Sequence, residues 1–251
     1  MDLTPVVPAD LPDEAIRRGS LEVNYDGVVR RLDLMDLAVL VPERIGLART
    51  STSYKDKPNY AGYYWAATTG RHHWFESLYE KLALTALDRD PTVTGISTQP
   101  FAILWSNPKK THFPDILVER ADGSRVLIDV RPRELIRETD DETFARTSAL
   151  CELLEVDYRL FSDLSRVQEL NLRFLGGYRY KRWGCPAAIA HALSERAGEI
   201  RNLEDWLPIL EGTDIPSRGI LLAAIWHGAI AVDLSVRLEM HRDGLCTGGS
   251  W

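Results

Sequence analysis

The chain has 251 residues, 45% hydrophobic and 27% charged, with a formal net charge of −7. That is enough material to bury one large domain or two smaller ones, and the wrong sign for gripping nucleic acid through the overall field. No apolar run reaches the length of a membrane span, and Met1-Asp2-Leu3-Thr4 lacks the basic-then-apolar layout of a secretory signal, so a cytoplasmic protein with no membrane partner is expected.

In chain order, residues 1–15, with Pro5, Pro8 and Pro12, read as a flexible arm. Ser20 to Leu34 alternates around Asp26-Gly27 and reads as a hairpin. Ser77 caps a helix running to about Asp88, with Leu78, Leu82 and Ala86 on one stripe. Thr94 to Trp105 reads as a strand. Thr111–Glu119 and Arg125–Arg131 form the arms of a second hairpin about the turn Ala121-Asp-Gly-Ser124. Asp141 to Glu155 reads as a helix burying Phe144, Leu150 and Leu154, Val156 to Phe161 as a short strand, and Ser162 to Leu175 as a helix ending at Gly176-Gly177, taken as a domain boundary. Beyond it, residues 186–197, a segment capped by Asn202, and Ser217 to His227 read as three short helices, and Ala229 to Leu238 as a strand pair. The expected fold is α/β, with an αβββαβ core in residues 16–177 and a small winged-helix-like domain in 178–251. Its would-be recognition helix offers only Arg218 as a firm charge, so it suits packing or protein binding better than base reading.

The most informative residues lie on the second hairpin. Asp129 and Arg131 share one face of their strand, and Ile128 and Val130 the other. With an odd loop such as 122–124, Asp115 falls opposite Arg131 and diagonal to Asp129; a two-residue loop puts Asp115 on the wrong face. Two carboxylates beside a cation can hold a divalent metal against a phosphodiester, which points to a nuclease, whereas the bland reading is a solvated sheet edge. Hard oxygen donors suit Mg²⁺ or Mn²⁺. Glu80 is a further candidate, with the alternative that Ser77-x-x-Glu80 is simply a capping box, and Glu76 one turn earlier is its substitute. Arg131 cannot act as a base at neutral pH and serves as a fixed cation or a salt-bridge partner of either Asp. Gln99 either touches water or phosphate or is a satisfied buried amide. His72, His73 and His112 have no partner at metal-ligand spacing, and Cys151, Cys185 and Cys246 have no Cys-x-x-Cys, so neither zinc nor a disulfide framework is indicated. Basic residues interleaved with aromatics cluster at 44–71 and 166–183, as phosphate-holding patches or ordinary solvated loops.

Ser77-Leu-Tyr-Glu80, Asp90-Pro-Thr-Val93, Gln99-Pro-Phe101, His112-Phe-Pro-Asp115 and Ile128-Asp-Val-Arg-Pro132, in that order, resemble the TnsA-type endonuclease subunits of heteromeric transposases, members of the PD-(D/E)xK nuclease superfamily. The resemblance covers about residues 55–180. It implies a magnesium-dependent hydrolase that nicks DNA at transposon ends during cut-and-paste transposition, expected at the 5′ ends. A DDE-type transposase subunit and an AAA+ ATPase regulator would be partners, at the nucleoid when assembled. It places Glu80, Asp115 and Asp129 as catalytic and metal-binding carboxylates, with the Val130 carbonyl a further ligand and Arg131 where the pattern has Lys. The alternatives are a restriction or repair nuclease acting alone, and a catalytically impaired assembly module.

Overall fold

The computed structural model describes residues 3–11, 14, 18–48, 60–106, 109–184, 191, 195–196, 202–211 and 214–242. Its elements are β1 (Thr4–Pro5), β2 (Ser20–Tyr25), β3 (Val28–Asp33), β4 (Ile45–Gly46), β5 (Gly62–Ala66), β6 (Arg71–Phe75), α1 (Leu78–Arg89), β7 (Val93–Thr98), β8 (Phe101–Ser106), β9 (Lys109–His112), β10 (Ile116–Arg120), β11 (Arg125–Val130), α2 (Glu138–Leu153), β12 (Asp157–Phe161), α3 (Arg166–Leu175) and α4 (Ser217–Trp226), joined by short 3₁₀ turns. This is a mixed α/β architecture. No described helix is long and apolar enough to cross a membrane.

The chain divides into two compact units, residues 1–84 with 92–163, and residues 85–91 with 164–251. The division falls before α3, ahead of the Gly176-Gly177 break expected from sequence. In the first unit the main sheet has the order β1-β12-β11-β10-β7. The pairs β7–β10 and β10–β11 are antiparallel, while β11 and β12 are parallel and joined through α2, the long crossover that a parallel pair requires. A second sheet has the order β3-β2-β8-β9, and β5 pairs with β6.

Each of the two long strands expected from sequence is broken in the middle. Thr94 to Trp105 divides at Gln99-Pro100, and Thr111 to Glu119 at Phe113-Pro114-Asp115. On one side of both breaks β7 pairs with β10 in the main sheet, and on the other β8 pairs with β9 in the second. Proline has no N–H to give a ladder, so Pro100 and Pro114 mark where the ribbon leaves one sheet for the other. The described residues 3–11 of the expected arm are packed on the rest of the first unit: β1 adds an edge to β12, the Val6 carbonyl accepts from Ser148 Oγ at 2.9 Å, and Ala9 N–H donates to the Ala145 carbonyl at 2.9 Å.

The core between the main sheet and α2 includes Leu117, Leu127, Phe144, Leu150, Cys151, Tyr158 and Leu160. α1 is amphipathic only at its start, where Leu78 is 44% exposed; residues 82–88 are all buried.

The second unit packs Leu175, Trp206, Leu210 and α4, whose residues Gly219 to Trp226 are all buried. Ser165 caps α3, and Asn202 Oδ1 accepts from the Glu204 and Asp205 N–H groups at the start of a 3₁₀ turn. Most of the helix expected at 186–197 lies outside the described residues, and so does the tail after 242. The strand pair expected at 229–238 does not form. Buried Asn171 on α3 occupies the main-chain groups of that segment instead, donating to the Leu234 and Val236 carbonyls at 2.9 and 2.8 Å and accepting from Leu238 N–H at 3.3 Å. Main-chain groups held by a side chain are not free to pair with a partner strand.

Candidate active site

β10 and β11 are joined by a three-residue turn, Ala121–Gly123, in which Arg120 and Ser124 close the ladder, Gly123 takes φ +81° and Asp122 accepts from Ser124 N–H at 2.9 Å. The loop is odd, as convergence requires, but the register is one pair shorter than the 122–124 turn gives. Ile116 faces Ile128, so continuing one step places Asp115 beside Asp129 rather than Arg131. Directly opposed residues share a face, and the two carboxylates therefore point to the α2 side.

They line a polar cleft of about 310 Å³ together with Thr111, His112, Phe113, Val130, Arg131, Asp140, Thr143 and Phe144. Asp115, half-buried at the strand break, accepts from Val130 N–H at 2.8 Å, and its carbonyl accepts from Gln99 N–H at 2.7 Å. Asp129 is 3% exposed, and buried carboxylates demand partners. It has them. The Tyr158 hydroxyl donates to Oδ2, and His112 Nε2 lies 3.2 Å from Oδ1 and 3.1 Å from Oδ2. His112 Nδ1 meets Thr147 Oγ1 at 2.9 Å, and Thr147 in turn donates to the Thr143 carbonyl at 3.0 Å. Thr147 has one proton and spends it on Thr143, so it accepts from Nδ1–H. Tyr158, Asp129, His112 and Thr147 thus form one connected chain of buried polar side chains. Burial, reinforced by the Asp129 charge it faces, pushes the Tyr158 phenol well above its ordinary range, and burial likewise raises the Cys151 thiol; neither is a nucleophile here.

Arg131 sits at the cleft edge with 40% of its side chain exposed, held by Asp140 at 3.2 Å and the Leu135 carbonyl at 3.2 Å. Its ion-pair partner is thus the first turn of α2, where Asp140 also accepts from Arg137 N–H at 3.1 Å, and neither Asp115 nor Asp129. The structure does not gather the other candidates at the cleft. Glu80 is a helix cap: its carboxylate accepts from Ser77 Oγ at 3.0 Å and Glu76 N–H at 2.8 Å, while Ser77 Oγ accepts from Glu80 N–H at 3.1 Å. Gln99 is 1% exposed at φ +45° and is a corner residue, its main chain joined to Asp115 and Ala48.

Sequence reasoning set His112 aside and did not single out Tyr158, Thr147 or Asp140. For His112 a signal was present: it lies three residues before Asp115, next to the proline break that changes its face. Tyr158 belongs to β12, and only the parallel pairing with β11 brings it to Asp129. Among the described residues no group of three or more His, Cys, Asp or Glu is disposed to hold a metal. Compared with protein-family models and with curated proteins, the chain has no match in either.

Proposed function

We propose that the chain is a metal-dependent DNA endonuclease subunit of a heteromeric transposase, built on a PD-(D/E)xK core and hydrolysing one strand at transposon ends. The reading rests on one observation above the rest: Asp115 and Asp129 occupy adjacent positions of a hairpin at one polar cleft, with a guanidinium on its edge. The main-sheet strands and their helices, α1, β7, β10, β11, α2, β12, support it: leaving out β8 and β9, which belong to the second sheet, they follow an αβββαβ order with Asp115 and Asp129 at the second and third of these strands.

The donor set fits a hard divalent ion that keeps much of its water. Mg²⁺ ordinarily takes one or two carboxylates and completes its shell with water and substrate phosphate, and two carboxylates border this cleft. Asp115 and Asp129 would hold Mg²⁺ or Mn²⁺, with the Val130 carbonyl as a further donor. Once bound, the ion supplies Lewis acidity toward the phosphate and a lowered pKa for an attacking water. The protein's own residues orient and compensate. Tyr158 and His112 fix the Asp129 carboxylate, the Val130 N–H fixes Asp115, and outer partners of this kind set ligand direction. Arg131, pinned by Asp140, presents a permanent positive charge where negative charge grows on the phosphate. Partners are DNA, a DDE-type transposase and an AAA+ ATPase, and the second unit is the candidate for protein contacts.

A non-catalytic assembly module is the second reading, favoured by one observation: both Glu80 oxygens are engaged in the α1 cap. Incubating the purified chain with Mn²⁺ and a labelled transposon end, with and without the transposase and ATPase, separates the two. The nuclease reading expects cleavage that disappears in Asp115→Asn and Asp129→Asn; cutting that persists in those variants, or none under any condition, rejects it.

A further inference from the structure

Residues 164–184 carry five basic side chains, Arg166, Arg173, Arg179, Lys181 and Arg182, against one acidic, Glu169, in a chain of net charge −7. Glu169 is already shared between Arg166 at 2.7 Å and Arg173 at 2.8 Å. Among the described residues no carboxylate pairs with Lys181 or Arg182, and both are exposed.

Two of these cations, Arg179 and Arg182, rest on an aromatic base. Arg179 lies 4.2 Å and Arg182 5.2 Å from the centre of the same Tyr180 ring, and Arg182 lies 5.2 Å from Trp183. Arg179 also donates to the Tyr180 hydroxyl at 2.6 Å. Trp183 is fixed in turn: its indole N–H donates to the Gly177 carbonyl at 3.1 Å, Tyr178 packs on it at 5.4 Å, and a Cβ on Gly219 would come within 2.6 Å of its ring. Only glycine lets the indole lie on the first turn of α4. Two guanidiniums share one ring with an ammonium between them in sequence, and ring faces offset repulsion among like charges only in part. A polyanion removes the repulsion, and arginines held on rings lose little freedom when they grip it.

We propose that Arg179 and Arg182, seated on the Tyr180 and Trp183 rings, form with the exposed Lys181 a phosphate-gripping DNA contact made by residues of the second unit alone. The choice of DNA as the polyanion rests on the nuclease reading; the geometry of the grip does not. DNA offers one phosphate charge per ~1.7 Å of duplex, a density that suits three adjacent cations.

The test is fluorescence anisotropy of a labelled duplex with the full chain carrying Asp115→Asn, in chelator, over about 50–200 mM salt. Relative to that chain, Lys181→Gln should lower the slope of log K against log salt by about one, and Lys181→Gln/Arg182→Gln by about two, with unfolding midpoints unchanged. Retention of the full slope in the double variant overturns the proposal, as does absence of DNA binding at the lowest salt or tighter binding of polyglutamate than of DNA. Cleavage by the wild-type chain is scored separately. A slope change without cleavage refutes only the nuclease reading, and cleavage without a slope change refutes only the patch.

Discussion

Replacing Tyr158 by Phe removes one oxygen from a site where it cannot be replaced by water. Tyr158 is 5% and Asp129 3% exposed, and the hydroxyl donates straight to the carboxylate. The ring stays, so no cavity forms, and the loss is that of a hydrogen bond to a charged group, about 1.5–3 kcal/mol. Asp129→Ala removes the acceptor from the other side. A double-mutant cycle over Tyr158→Phe and Asp129→Ala, measured by urea unfolding, should therefore return a coupling of similar size. With m of about 1–3 kcal/mol/M, the single Tyr158→Phe change moves the midpoint by roughly 1 M. The phenol's raised pKa adds a pH signature. The folded state holds the proton more tightly than the unfolded state does, so the contribution is complete below the ordinary tyrosine value of 10.0 and is lost as pH rises through the folded value. If the nuclease reading holds, Tyr158→Phe also lets Asp129 rotate, and half-maximal cleavage then needs about 10–100-fold more Mn²⁺. A coupling below about 0.5 kcal/mol, within the scatter of independent sites, would refute the claim that Tyr158 positions Asp129.

The remaining expectations are quickly tested. Ser77→Ala should cost about 0.5–2 kcal/mol in thermal or urea unfolding through the lost cap of α1, and Glu80→Gln should keep cleavage if capping is its whole role. Arg131→Ala should abolish cleavage while leaving Mn²⁺ binding, followed by calorimetry, intact; loss of metal binding would make Arg131 a structural residue. The Arg133 guanidinium, with help from Thr4 and Ser162, holds the Asp163 carboxyl well below the usual carboxylate range. That clamp contributes above the unfolded Asp value of 3.8 and is lost as pH falls through the folded one, so Arg133→Ala should narrow the stability gap between neutral and acid pH.

The legible parts of this chain were those written in local chemistry. The Asp26-Gly27 turn, at φ +54° and +78°, the Ser77 cap and the strand-helix-strand passage from β11 to β12 all rest on neighbours in sequence. The parts that escaped depend on tertiary partners. Thr4 and Pro5 carry no strand pattern of their own and are ordered by the exposed edge of β12. Ala229 to Leu238 does alternate, yet Asn171 takes three of its main-chain groups from sixty-odd residues away. Residues that favour strands lie on both sides of Gln99-Pro100 in Thr94–Trp105, so strand propensity alone could not report that the ribbon changes sheets there.

That change of sheet explains why the cleft lies where it does. β10 begins only at Ile116, because Pro114 cannot extend the ladder, so Asp115 sits outside the regular strand while still facing the last residues of β11. A residue within the strand would be buried as Leu117 is, at 0% exposure. One beyond the corner would follow β9 into the second sheet. Only at the corner can a carboxylate stay half-open to the cleft and still be held by the neighbouring strand, through Val130 N–H. The same corner brings His112, the last residue of β9, across Asp129, although β9 is not a strand of the main sheet. The two prolines therefore set the carboxylate pair as directly as the aspartates form it. Substituting Pro114 by Ala, which returns an N–H to the ladder and frees the break to straighten, is expected to disturb the His112–Asp129 contact more than the Leu117–Leu127 core.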